Sequence, residues 1–331
     1  MKIFLAIMRS DYGDPTRGPS YEEVNFHEVL RRDGHDVRVF DYMAELADGD
    51  IEAMNSRMVA ACAEFRPAVA MFSLFTDQVL PATMARIREI SPTFAFFHDD
   101  TWRVDFSREW AARVDWFSSP DIDCKRKYPA IGLPNVFYFP FGANEMAFRP
   151  LDKAKRFDIA FVGGWHPYRA WLLKRLERAG LPVEVRGAGW PKGMVSHDEM
   201  VELFNETRIN LNLSNSTSWD ARYLASSLRA VRGRLRSTKH GEQMKARVFE
   251  INACRAFQLS YYVDGLEHCY SLGDEMMVYL DPEDLVDKVR RYLGEPDLCD
   301  RIAAAGYART LRDHRYSDRF ARLFAAMGLA A

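Results

Sequence analysis

Short apolar runs separated by amphipathic stretches recur along almost the whole chain, and this alternation limits the possible folds more than any other feature. In the first half the runs fall at residues 2–8, 34–40, 68–74, 93–97, 116–118 and 136–139, with a helical stretch, 21–32, between the first two. Parallel strands joined by crossover helices produce that pattern. After a charged lapse at 149–156 the pattern resumes, with runs at 158–162, 183–186, 209–213, 258–262 and 276–279. Near the end, Asp281-Pro282-Glu283-Asp284 reads as a helix start, with Leu285, Val289, Tyr292 and Leu293 as its apolar stripe. The expected fold class is α/β, with two Rossmann-like domains whose parallel sheets face across a cleft. The lapse is the expected hinge, giving domains 1–150 and 151–331.

Composition supports two ordinary domains: the chain has 331 residues, 48% of them apolar and 28% charged. Its 45 Lys and Arg against 47 Asp and Glu leave a net charge of -2, which argues against a nucleic-acid partner, since duplex binding needs a basic excess or a basic face. Cys62, Cys124, Cys254, Cys269 and Cys299 include no CxxC pair and fit neither a disulfide framework nor a zinc site, so a cytoplasmic location is expected. Residues 3–8 are too short an apolar run for a signal peptide, and no run of about 18 apolar residues occurs. Any membrane contact is therefore expected to be peripheral.

In open parallel sheets ligands bind at the carboxyl ends of the strands, so the loops after the second domain's strands matter most. Gly163 and Gly164 would let the backbone approach an anion at the start of the helix near Tyr168, with Arg169 adding charge; a plain tight turn explains the glycines equally well. Lys245 and Arg247 lead into an apolar helix headed by Glu250. Cations and helix-terminal amides suit a diphosphate, and a carboxylate suits a ribose. By spacing alone, Glu250 equally complements the helix dipole.

Several segments then resemble one family as a set. They are Phe161-Val162-Gly163-Gly164 with Arg169, Gly187-Ala188-Gly189-Trp190, residues 208–214, residues 247–254, Asp264-Gly265-Leu266 and residues 302–306. In consistent order over 157–325, they are similar to the C-terminal domain of the CgeB-like (spore-maturation-type) glycosyltransferases, which belong to the GT-B superfamily. The resemblance implies a nucleotide-sugar co-substrate, expected to be a UDP-sugar, held by the second domain with no cofactor or metal, and an acceptor held mainly by the first. It implies donor contacts at Gly163, Gly164, Arg169, Gly189, Trp190 and Ser214, with Trp190 either stacking on the base or buried as a structural residue. It further implies contacts at Lys245, Arg247, Phe249 and Glu250, with Glu250 on the ribose and Lys245 or Arg247 facing the diphosphate. Glu242, eight positions before Glu250, reproduces the E-x7-E spacing of many retaining GT-B enzymes, in which the earlier Glu contacts the donor sugar. Arg255 departs from the family, which commonly has glycine after the Ala-Cys pair.

In the first domain, His98, Asp99 and Asp100 end a strand and are candidate acid/base or sugar-orienting groups; capping and packing are the alternatives. Asp99, Asp100 and Asp105 also suggest a carboxylate metal site, although the expectation is metal-free transfer. Asp11, Tyr12 and Gly13 follow the first strand and are candidates to line the acceptor side. From Arg222 to Arg247, basic residues outnumber the single acid Glu242, which suits either a solvated loop or contact with an anionic acceptor or membrane surface. The expected activity is transfer of a sugar to an unidentified acceptor, which is a glycan, a protein or a lipid-linked sugar. Competing readings are a sugar-nucleotide epimerase and a non-catalytic sugar-nucleotide-binding protein.

Overall fold

The computed structural model describes every residue except 48, 215–217, 240, 330 and 331. The chain divides into two compact units, Met1–Pro140 with Tyr316–Ala331, and Phe141–Arg315.

In the first unit the strands β1 (Lys2–Ile7), β2 (Asp36–Asp41), β3 (Val69–Ser73), β4 (Thr93–Phe96), β5 (Trp116–Ser119) and β6 (Val136–Tyr138) form one parallel sheet in the order β2-β1-β3-β4-β5-β6. Successive side chains of β1 point to opposite faces, and both faces are covered. Ile3, Leu5 and Ile7 pack with Phe26, Val29, Leu30, Phe94 and Phe96. Phe4, Ala6 and Met8 pack with Met54, Met58, Val59 and Cys62 of the helix Ile51–Phe65. Double coverage is why the strand is apolar throughout rather than alternating.

The second unit repeats the design with β7 (Phe157–Val162), β8 (Glu184–Arg186), β9 (Thr207–Asn212), β10 (Gln258–Tyr261) and β11 (Met277–Tyr279), in the parallel order β11-β10-β9-β7-β8. Several of its helices start where side chains satisfy the open amides. Ser196 and Glu199 form a reciprocal capping box on His197–Glu206, and Asp281 accepts from the amides of Glu283 and Asp284 at 2.8 and 2.9 Å on Pro282–Leu293. Among the described residues no helix is long and apolar enough to cross a membrane.

The units differ from the expected 1–150 and 151–331 at both ends. Residues 141–151 are held to the second unit by hydrogen bonds: Ala143 N donates to His314 O at 3.0 Å, Leu151 N to Asn205 Oδ1 at 2.8 Å, and Asn205 Nδ2 to Arg149 O at 3.2 Å. The last helix, Tyr316–Ala326, returns to the first unit. There Tyr316, Phe320, Leu323 and Phe324 are buried with Ile3, Leu5 and Phe26, and Arg32 donates to Ser317 Oγ at 2.8 Å.

Candidate functional site

In the second unit the loop after β7 runs through Gly163, Gly164 and Trp165 into the helix Pro167–Arg178. It is fastened to the loop after β8. Gly163 N donates to Arg186 O at 2.9 Å, Trp165 N to Ala188 O at 2.7 Å, and Trp190 Nε1 to Gly163 O at 2.8 Å. Gly187, at φ +135°, lies so close that a Cβ there would stand 2.2 Å from Gly163 O. Only glycine combines that conformation with that approach. Gly189, expected among the donor contacts, has φ +81° and lies so close to Trp165 that a Cβ there would stand 2.8 Å from the Trp165 Cβ. Trp190 is half-buried, tethered by its indole nitrogen and edge-on to Phe161.

His166 caps the helix Pro167–Arg178 with Nδ1, which accepts from Tyr168 N at 3.3 Å. Burial, helped by the charges of Arg169 and Lys239, pushes its pKa down to about 4, which keeps that nitrogen unprotonated at neutral pH. Arg169 donates through Nε and Nη2 to Leu213 O at 3.1 and 2.9 Å and through Nη1 to Gly164 O at 2.9 Å. Burial lowers its pKa to about 10, so it remains a cation. It therefore ties the loop after β7 to the end of β9, with part of its donor fork already used.

Ser214, just past β9, donates to the carboxylate of Glu242. The charge of Glu242 adds to burial in raising the pKa values of Tyr261 and Tyr279, and Tyr261 donates to Gln243 O at 2.7 Å. Lys245 is half-buried in the turn that opens the helix Arg247–Ala253. Arg247 Nη1 donates to Glu250 Oε2 at 2.7 Å, and its guanidinium lies 5.4 Å from the Phe204 ring centre. Glu250 is only 5% exposed. Phe249, expected among the ligand contacts, is wholly buried against Tyr270 and His314, so its side chain belongs to the core. Arg255 adopts the left-handed conformation, φ +52°, that glycine takes most readily, so the chain keeps the turn after this helix despite the departure from the family pattern.

In the first unit, His98 stands just past β4 with its ring among Tyr21, Phe26 and Phe96. Its Nε2 lies 3.3 Å from Glu22 Oε1 and 3.2 Å from Ser73 Oγ, and Ser73 donates to Glu22 Oε1 at 2.6 Å. Burial would raise the Glu22 carboxyl, but the hydrogen bond and charge of His98 and the bond from Ser73 outweigh it and hold the pKa below the usual range. Glu22 immediately precedes a π-helical turn, Glu23–His27, a local widening often found at functional sites. Neither Glu22 nor Ser73 was expected as a site residue. Ser73 leaves one signal, a polar residue closing an otherwise apolar strand, whereas Glu22 leaves none.

Asp99 is half-buried, and its charge reaches Tyr12, whose phenol is raised first by burial and then by Asp11. Asp100 is buried and accepts from Ser119 and Tyr128, which makes it a structural link from β5 to Tyr128. Among the described residues no three His, Cys, Asp or Glu side chains are grouped to hold a metal ion.

The basic stretch is less uniform than its composition suggests, and its residue 240 lies outside the described residues. Arg222 is paired with Asp220 and Glu283, Arg247 with Glu250, and Arg234 is buried beneath Trp219 with its guanidinium 4.0 Å from the ring centre. Arg229, Arg232 and Arg236 are exposed.

Two parallel α/β units of this topology constitute the GT-B fold, and the chain is a glycosyltransferase. Residues 169–325 match the family model described as Glycosyl transferase-like. No curated protein matches the chain in sequence. Similar solved structures include sucrose-phosphate synthase from Thermosynechococcus elongatus, with TM-score 0.66 and 11% identity over 100% of both chains. A glycosyltransferase from Rickettsia africae ESF-5 gives TM-score 0.66 and 10% identity over 98% of both. Anabaena HepE, solved in complex with UDP and glucose, gives TM-score 0.63 and 11% identity over 98% of this chain and 100% of that one.

Proposed function

We propose that this glycosyltransferase is of the CgeB-like type, takes its sugar from a UDP-sugar bound in the second unit, and needs neither metal nor cofactor. The observation that carries the reading is the Arg247–Glu250 pair, in which a buried carboxylate and a cation share one helical turn at the carboxyl end of the sheet. A carboxylate so placed accepts both ribose hydroxyls, and Arg247 with Lys245 neutralises the diphosphate, whose negative charge grows as the sugar leaves. Gly163 and Gly164 let the backbone approach the same phosphates, with the amide of Gly164 offered to them, and Arg169 supports them from its remaining N–H groups. Glu242, oriented by Ser214, contacts the donor sugar, while His98 and Asp99 orient or deprotonate the acceptor hydroxyl. The UDP and glucose bound by HepE support the choice of base and the class of sugar. The acceptor is a glycan, a protein or a lipid-linked sugar, and the reducing setting suited to five buried free thiols is the cytoplasm.

Titration calorimetry with UDP, ADP and GDP, each with excess EDTA, tests this reading. UDP should bind most tightly and unchanged by EDTA. A stronger response to ADP or GDP would reassign the base, and UDP binding lost in EDTA but restored by Mg²⁺ or Mn²⁺ would overturn the metal-free site.

A further inference from the structure

The helix Leu228–Arg236 in the second unit has two opposed characters. Ser227 caps it, accepting from Ala230 N at 3.1 Å, and Ala230 and Arg234 turn inward, 1% and 6% exposed. The opposite side carries Leu228, Val231 and Leu235, which are 90%, 38% and 72% exposed. At 3.6 residues per turn these three form one stripe, and Arg232, Arg236 and Arg229 form a second stripe immediately beside it. The charged residues of 221–239 are Arg222, Arg229, Arg232, Arg234, Arg236 and Lys239, with no acid among them. Trp219, 66% exposed, is stacked by Arg234 on the other flank of the apolar stripe.

A surface helix normally turns its leucines toward the core and its arginines toward water. This helix exposes both, side by side, on a protein whose formal net charge is only -2. That arrangement suits an interface where apolar groups sink among acyl chains while neighbouring arginines reach anionic headgroups. An acidic protein groove would match the arginines, but it offers the large exposed leucines no comparable apolar layer.

We propose that the helix Leu228–Arg236 is an interfacial anchor that lies flat on an anionic bilayer, with Leu228, Val231 and Leu235 below the headgroups and Arg229, Arg232 and Arg236 on the lipid phosphates. So short a helix gives reversible binding that depends on both stripes and weakens with salt. The inference is independent of the sugar chemistry, because its readout is vesicle binding rather than activity.

The test is flotation of the full chain with vesicles of phosphatidylcholine alone or phosphatidylcholine with phosphatidylglycerol. The wild type should partition onto the anionic vesicles about tenfold or more over the neutral ones, less so at high salt. Leu228→Gln with Leu235→Gln should reduce that partition about tenfold, and Arg232→Gln with Arg236→Gln should abolish the preference for anionic lipid. All four positions are exposed, so unfolding midpoints should match wild type and separate lost binding from lost folding. Three results would overturn the proposal: no partition onto anionic vesicles, equal partition of both double variants with wild type, or self-association in solution that the leucine changes dissolve.

Discussion

Arg247 and Glu250, expected to touch different parts of one ligand, hold each other at 2.7 Å, with the carboxylate only 5% exposed. The pair therefore contributes to stability as well as to any ligand. Arg247→Ala leaves a buried carboxylate without its cation and should cost about 1 to 3 kcal/mol in urea unfolding. The same change in a Glu250→Gln background should cost less, and a double-mutant cycle gives the coupling. Each single variant should also weaken UDP binding about 10-fold to 100-fold by calorimetry. Additive unfolding costs would mean that the pair is not coupled.

Glu22 is the carboxylate facing His98, with Oε1 3.3 Å from Nε2 and accepting from Ser73 Oγ at 2.6 Å. Glu22→Gln keeps the shape of the side chain but removes the charge that orients the imidazole. With His98 acting as the base, kcat should fall about 10-fold to 100-fold while donor affinity changes little. Turnover equal to wild type would assign both residues to structure.

Gly187 and Gly164 offer a paired test of the loop after β7. Gly187→Ala forces a side chain into a positive φ and against the Gly163 carbonyl, and should destabilise the chain by about 2 kcal/mol or more. At Gly164 the φ is not positive and a Cβ would meet nothing within 4 Å, so Gly164→Ala should change stability by about 0.5 kcal/mol or less. Its UDP affinity should nevertheless fall if phosphate needs the bare backbone there. Unchanged affinity would remove Gly164 from the donor site.

The strands were legible because doubly covered parallel strands such as β1 and β7 are apolar at nearly every position, a pattern that survives without knowledge of neighbours. The division into units was less so. Tyr316, Phe320, Leu323 and Phe324 mark an amphipathic helix but not which sheet it covers, and the attachment of Leu151 to Asn205 is a contact between distant residues. The same limit applies to the site. Lys245, Arg247 and Glu250 lie within six residues and could be read together, whereas Glu22 meets Ser73 across a separation of 51 residues, closed only by folding. Gly189 and Phe249 could be named from the stretches they occupy, whereas their packing against Trp165 and against Tyr270 with His314 could not.

The return of Tyr316–Ala326 to the first unit reverses the order of completion during synthesis. Domains generally fold as the ribosome releases them, amino-terminal first. Here the unit begun first waits for residues made after the whole of the second, and until they emerge the sheet face carrying Ile3, Leu5 and Phe96 has no Phe320 or Phe324 to cover it. The contiguous stretch Phe141–Arg315 has no such wait. Nascent chains arrested before residue 316 should thus present a finished second unit behind an unfinished first, which makes that bare apolar face the natural place for a chaperone to hold the chain.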